Sequence, residues 1–146
     1  MPWSQRFKLE AFNTELASAT LIIGLLKTTY PNDADKDFLD NAAADDIVDH
    51  ECDATNYARL TQALSATPFV RSDANDWISL DIADQTFSNL GGATNNDVDR
   101  LFIAKQVTVD TDHEVIATIA FPSHTTTNPG TPLTFNISEL LRVANG

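Results

Sequence analysis

The chain is poor in the residues that usually staple or bend a small protein. Of its 146 residues only one is cysteine, Cys52. An intrachain disulfide is therefore excluded, and cysteine usage says nothing about redox compartment. Glycine occurs 5 times, so turns that need positive φ must draw on Asn or Asp. Basic residues are also scarce: 9 Lys and Arg stand against 21 Asp and Glu, a net charge of −12. That balance argues against nucleic-acid binding, which neutralises phosphates with Lys and Arg. It argues equally against docking on an anionic membrane. No apolar run approaches the ~18 residues of a transmembrane helix. The opening MPWSQRFK has no apolar segment behind its charges, so no secretory signal is expected.

What is present points to β structure. The hydrophobic fraction of 42% supports a core without a metal or disulfide staple. There are 16 Asp, 11 Asn and 17 Thr, but only 5 Glu and 4 Lys. Asp, Asn and Thr are weak in helix interiors, and Asp and Asn favour turns. The composition predicts an all-β chain: an antiparallel sandwich or jelly-roll-like single domain over 13–146. Residues 1–12 read as an N-terminal arm or first strand.

The run TLIIGLLK at 20–27 is short, apolar and bounded by polar residues, which predicts a buried strand. Gly24 inside it predicts a bulge or a close backbone approach. Further strands are expected near 57–64, 67–71, 77–82, 85–90, 99–109, 114–121 and 132–138. Those at 77–82 and 132–138 alternate, so each should bury one face. Those at 99–109 and 114–121 are more continuously apolar, so both faces should be covered. Eight or so strands at this spacing mean a sandwich, jelly roll or barrel.

Between them lies a long acidic excursion. From Pro31 to Asn56 there are nine acids and one base, Lys36. Phe38, Leu39, Ile47 and Val48 could hold this stretch to the body, with a short helix near 35–48. Asp33, Asp35 and Asp37 occupy the first three ligand positions of an EF-hand loop. The sixth position is Phe38 rather than Gly and the twelfth is Ala44 rather than Glu, so a solvated acidic loop is the better reading than a metal site. His50-Glu51-Cys52-Asp53 offers four ligand types in a row, but no second Cys/His pair at zinc spacing. The Gly-containing stretch 89–97 lacks the Lys of a P-loop, and no Gly-x-Ser-x-Gly elbow exists. No catalytic residue and no cofactor are expected.

One resemblance spans most of the chain. The opening Phe7, Lys8, Phe12 and Asn13 are followed by Leu25-Leu26 and then by TYPNDADKDF at 29–38. Later come Tyr57, Asp76-Trp77, RLFIAK at 100–105, VIATIAF at 115–121 and FNISELLR at 135–142. In this layout the chain resembles a family of small tailed-bacteriophage virion proteins of the head or tail. The resemblance implies a structural role in the virion without catalytic residues.

The function expected is therefore capsid cement or decoration: binding the major capsid protein on the outer surface of the head and stabilising it. The chain would be made in the bacterial host cytoplasm and located on the virion. A homotrimer is expected, since the apolar residues of 101–109 and 115–121 exceed one half-buried face. The anchor expected is the N-terminal segment, with Trp3 and Phe7 as apolar contacts and Arg6 and Lys8 as cations. The acidity suits an outer location, with no nucleic-acid or membrane partner. The alternative is a tail or fibre component that binds a host receptor or glycan through loops 89–97 and 122–131, helped by Trp77.

Overall fold

Strand formation follows the apolar runs closely. A computed structural model describes residues 5–31, 36–40, 46–72, 74, 77–127, 132–137 and 141–144, the side chains of 5–8 and 141–144 excepted. The elements in chain order are α1 (Gln5–Leu16), β1 (Thr20–Lys27), β2 (Leu60–Ala63), β3 (Phe69–Ser72), β4 (Trp77–Leu80), β5 (Gln85–Phe87), β6 (Asp97–Lys105), β7 (Glu114–Thr125), β8 (Leu133–Phe135) and β9 (Leu141–Ala144). The protein is thus mostly antiparallel β, with one α-helix among the described residues. Its contacts cluster into two compact units, where the sequence suggests one body.

The larger unit comprises residues 21–61 and 86–134. β1 and β6 are neighbours in a four-stranded sheet of order β2-β1-β6-β7. Every residue of β1 from Leu21 to Leu26 is buried, as its unbroken apolar run requires. β6 answers with Leu101, Phe102, Ile103 and Ala104, all buried. Both faces of β6 are therefore consumed within the unit. Its apolar surplus is packing for this sheet and lends no weight to oligomerisation. β7, by contrast, is half-buried from Val115 to Ile119 and forms one edge of the sheet.

Gly24 pairs with Phe102 across the β1–β6 ladder. A Cβ at 24 would overlap the Phe102 ring and stand 2.5 Å from the Tyr57 hydroxyl. The glycine thus marks neither a bulge nor the close approach of another backbone: two side chains lie against it, and the register shift of this ladder falls at Leu26/Lys27. Among the described residues, positive φ at non-glycine positions falls on Ser18, Asn56 and Asn89. Two of these three are Asn, as the shortage of glycine requires.

The acidic excursion is tied down where its apolar residues expect it. Leu39 and Ile47 are fully buried in a cluster with Ile22, Leu26, Tyr30, Phe102 and Ala104, and Val48 and Val115 pack against it. The short helix expected near 35–48 is not formed by the described part of that range. Phe38 instead makes an isolated bridge with Glu114, and the helical turn is a 3-10 turn at Val48–His50. Residues 32–35 and 41–45 lie outside the described residues.

The smaller unit comprises residues 1–20, 62–85 and 135–146. It holds a three-stranded sheet of order β3-β4-β9 with α1 against β3 and β4. Here the expectation of an arm or strand over 1–12 is corrected from residue 5 onward. Phe7 and Leu9 alternate like a strand, but Leu9, Phe12 and Leu16 recur at helical spacing. That helical stripe meets the sheet: the Phe12 and Phe69 rings lie 5.3 Å apart, and the Asn13 side chain accepts a hydrogen bond from the Phe69 N–H at 2.9 Å. Burial against β3 decides the conformation, as tertiary packing does for most short helices. β9 was also hidden in sequence, since Leu141–Ala144 is too short to show a period.

Candidate functional site

The most developed polar constellation among the described residues surrounds Arg59 in the larger unit. Its guanidinium forks two ways. Nε donates to Glu51 Oε1 at 2.8 Å and Nη2 to Glu51 Oε2 at 2.6 Å. Nη1 donates to Asp110 Oδ1 and Nη2 again to Asp110 Oδ2 at 3.1 Å. Four of the five N–H donors of a guanidinium are thus engaged by two carboxylates. The guanidinium carbon also lies 5.8 Å from the centre of the Phe102 ring, within cation–π range.

Tyr57 extends the cluster inward. Its hydroxyl donates to Glu51 Oε1 at 2.7 Å and accepts from the Leu25 N–H at 3.1 Å. Its ring stacks on Phe87 with centroids 6.1 Å apart. Burial and the neighbouring Glu51 carboxylate push the Tyr57 phenol far above its ordinary value. It is a hydrogen-bonding strut rather than an acid. The hydrogen bonds to Glu51 raise the Arg59 guanidinium further. Those from Arg59 hold Asp110 below the usual carboxylate range, against the opposing effect of burial.

The outer end is His113, buried beside the β6–β7 turn. Its Nδ1 accepts the Val107 N–H at 3.0 Å. That role puts the proton of the neutral ring on Nε2, which lies 3.7 Å from Asp110 Oδ1. Glu51, Tyr57, Arg59, Asp110 and His113 come from three stretches of chain, so spacing alone could not assemble them. The sequence signals are slight: an Arg two residues after a Tyr, past an acidic run, and a His directly after Asp110-Thr111-Asp112.

A second constellation answers the charge problem of the acidic stretch. Asp46 is fully buried and pairs with Lys36 at 3.0 Å. The one base of residues 31–56 thus meets the one carboxylate that is buried among the described residues. Asp46 also donates its backbone N–H to Asp49 Oδ2 at 3.1 Å. An open cleft of about 200 Å³ adjoins this pair, lined by Tyr30, Lys36, Ile47 and residues 115–118.

The four consecutive ligand types at 50–53 disperse. His50 Nδ1 meets Thr29 Oγ1 at 3.0 Å, Glu51 serves Arg59, and the Cys52 thiol donates to Asn96 Oδ1 at 3.2 Å. The Asp53 N–H donates to that same Asn96 oxygen at 2.8 Å. Among the described residues no group of three His, Cys, Asp or Glu is placed to hold a metal ion.

Of the EF-like aspartates, Asp33 and Asp35 lie outside the described residues. Asp37 is exposed, and its carbonyl accepts the Val115 N–H at 2.8 Å. Trp3 lies outside the described residues, and Arg6, Phe7 and Lys8 fall in the first turns of α1.

Loop 89–97 is pinned by its own amides. Asn95 Oδ1 accepts the Gly92 N–H at 2.9 Å, the Thr94 N–H donates to Thr55 Oγ1 at 2.9 Å, and the Asn96 N–H donates to buried Thr126 Oγ1 at 2.8 Å.

Comparison with known protein families, with curated proteins and with solved structures finds nothing that matches this chain.

Proposed function

We propose that the chain is a structural protein of a tailed-bacteriophage virion: a cement or decoration protein that binds the major capsid protein on the outer head surface. In this reading its sheets form a sandwich, it acts as a homotrimer, and it carries no catalysis. The observation that supports it best is the Arg59 cluster. A half-buried guanidinium with four N–H groups on Glu51 and Asp110 spends its binding capacity inside the fold. Such a cluster fixes loops in place and leaves little to offer a substrate. A protein whose task is to clamp neighbours needs rigid loops more than reactive groups.

The charge supports the same reading. A net charge of −12 keeps particles soluble and mutually repelling when it faces outward. The N-terminal segment with Trp3, Arg6, Phe7 and Lys8 is one proposed anchor. From residue 5 onward it would act as the end of a helix rather than as an extended strand.

Copy number per purified particle tests the reading. Stoichiometry matching the capsid shell supports head decoration. A few copies per particle would reassign the chain to the tail. Particles lacking the protein, viewed by negative stain, should show fragile heads. Intact heads that fail to adsorb would overturn the proposal.

A further inference from the structure

The connection between β6 and β7, residues 106–113, opens on an unusual composition for a loop. Residues 106–109 are Gln-Val-Thr-Val, where Gly, Asn, Asp or Ser would be ordinary. The apolar pattern predicts that β6 runs on to residue 109, yet the strand ends at Lys105. Val107 and Val109 are left 50% and 51% exposed. Only three large hydrophobic side chains are exposed among the described residues, and two of them share this turn.

The turn is nevertheless fixed from beneath. The Val107 N–H donates to buried His113 at 3.0 Å. The Asp112 and His113 N–H groups donate to the Val109 carbonyl at 2.9 and 3.1 Å. The Asp110 carboxylate is held by Arg59, and its carbonyl accepts the Asp40 N–H at 3.2 Å. The valines are therefore presented by a backbone that is already ordered. Prior ordering removes much of the entropy cost of docking.

The charges on the segments bonded to this turn are mostly of one sign. Asp37, Asp112 and Glu114 are exposed and Asp40 is half-buried. The cations on these segments are each paired with a carboxylate: Lys105 lies 3.5 Å from Glu114, Arg59 is held by Asp110 and Glu51, and Lys36 pairs with Asp46. An apolar pair within acidic surroundings fits a depression that is apolar at its centre and basic at its edge. A second copy of this chain, at −12, is a poor match for that pattern.

We propose that the β6–β7 turn is a docking knob whose Val107 and Val109 enter an apolar depression with a basic rim on a partner protein. The proposal rests on the reading of the chain as a shell-bound structural protein, and it names a contact on that shell separate from the N-terminal segment.

The test is co-sedimentation with purified heads assembled without this protein. The wild type should bind, and should bind more weakly as salt rises. The Val107→Ser/Val109→Ser variant should keep its melting temperature and lose about tenfold or more in affinity. The near-isosteric Val107→Thr/Val109→Thr variant serves the same purpose if the serines disturb the fold. Either folded variant binding like the wild type overturns the knob while leaving the shell-bound reading intact. Binding indifferent to salt overturns the basic rim. Wild-type protein that fails to bind heads at all removes both the reading and the knob.

Discussion

Gly24 and Phe102 face each other across the β1–β6 ladder, and the aromatic ring occupies the space a side chain at 24 would need. The same ring lies under Arg59, and the Tyr57 hydroxyl crowds the same space beside the glycine. Gly24→Ala should therefore destabilise the protein by about 1–3 kcal/mol, the usual cost of overpacking. Urea denaturation followed by tyrosine and tryptophan fluorescence measures it. A change under about 0.5 kcal/mol, typical of a neutral surface substitution, would mean that ring and hydroxyl move aside freely.

The Lys36–Asp46 pair makes a prediction with an internal control. Lys36→Met takes a salt-bridge partner from a fully buried carboxylate and should cost about 3–5 kcal/mol. Adding Asp46→Asn removes the buried charge itself, so the double variant should be more stable than Lys36→Met alone. A double variant that is no better than the single one would show that the lysine stem, not its charge, matters here.

Asp110 predicts a pH dependence. Arg59 lowers its value in the folded state, so the ionised carboxylate favours folding. That contribution is complete above the ordinary carboxylate range, about pH 4. It drains away as pH falls through the lowered folded value. Asp110→Asn should reduce stability at neutral pH and flatten the decline of melting temperature below about pH 4. An unchanged acid limb, measured by scanning calorimetry from neutral to acid pH, would refute the assignment.

The aspartates at 33, 35 and 37 are expected to be dispensable. Replacing all three by Asn should shift the melting temperature little, or raise it slightly by relieving repulsion. Calcium should not change this. A large calcium-dependent rise in melting temperature that the triple variant loses would turn the stretch into a metal site.

The strands were readable because their residues declare their own burial. TLIIGLLK admits little besides a buried strand, and β1 spans those same residues. Leu39 and Ile47 likewise revealed which parts of the acidic stretch return to the core. α1 was missed because Phe7 and Leu9 alternate locally, while the partner that selects the helix, Phe69, lies far along the chain. The Arg59 cluster was missed for the same reason. Glu51 and Asp110 are 59 residues apart in sequence, and only the pairing of strands brings both to one guanidinium. Val107 and Val109 misled in the opposite direction, since apolar β-branched residues in a row read as strand even where the chain has already turned.

Cys52 gives the larger unit a clock of its own. The thiol is buried, it donates to Asn96, and burial pushes its pKa up, so attack by a disulfide reagent must wait for the surrounding loops to part. Because the chain has no other sulfhydryl, each labelling event reports one opening at one place. The rate of modification under native conditions therefore times the local breathing of this region without any added probe, and Asn96→Ala should make the clock run faster.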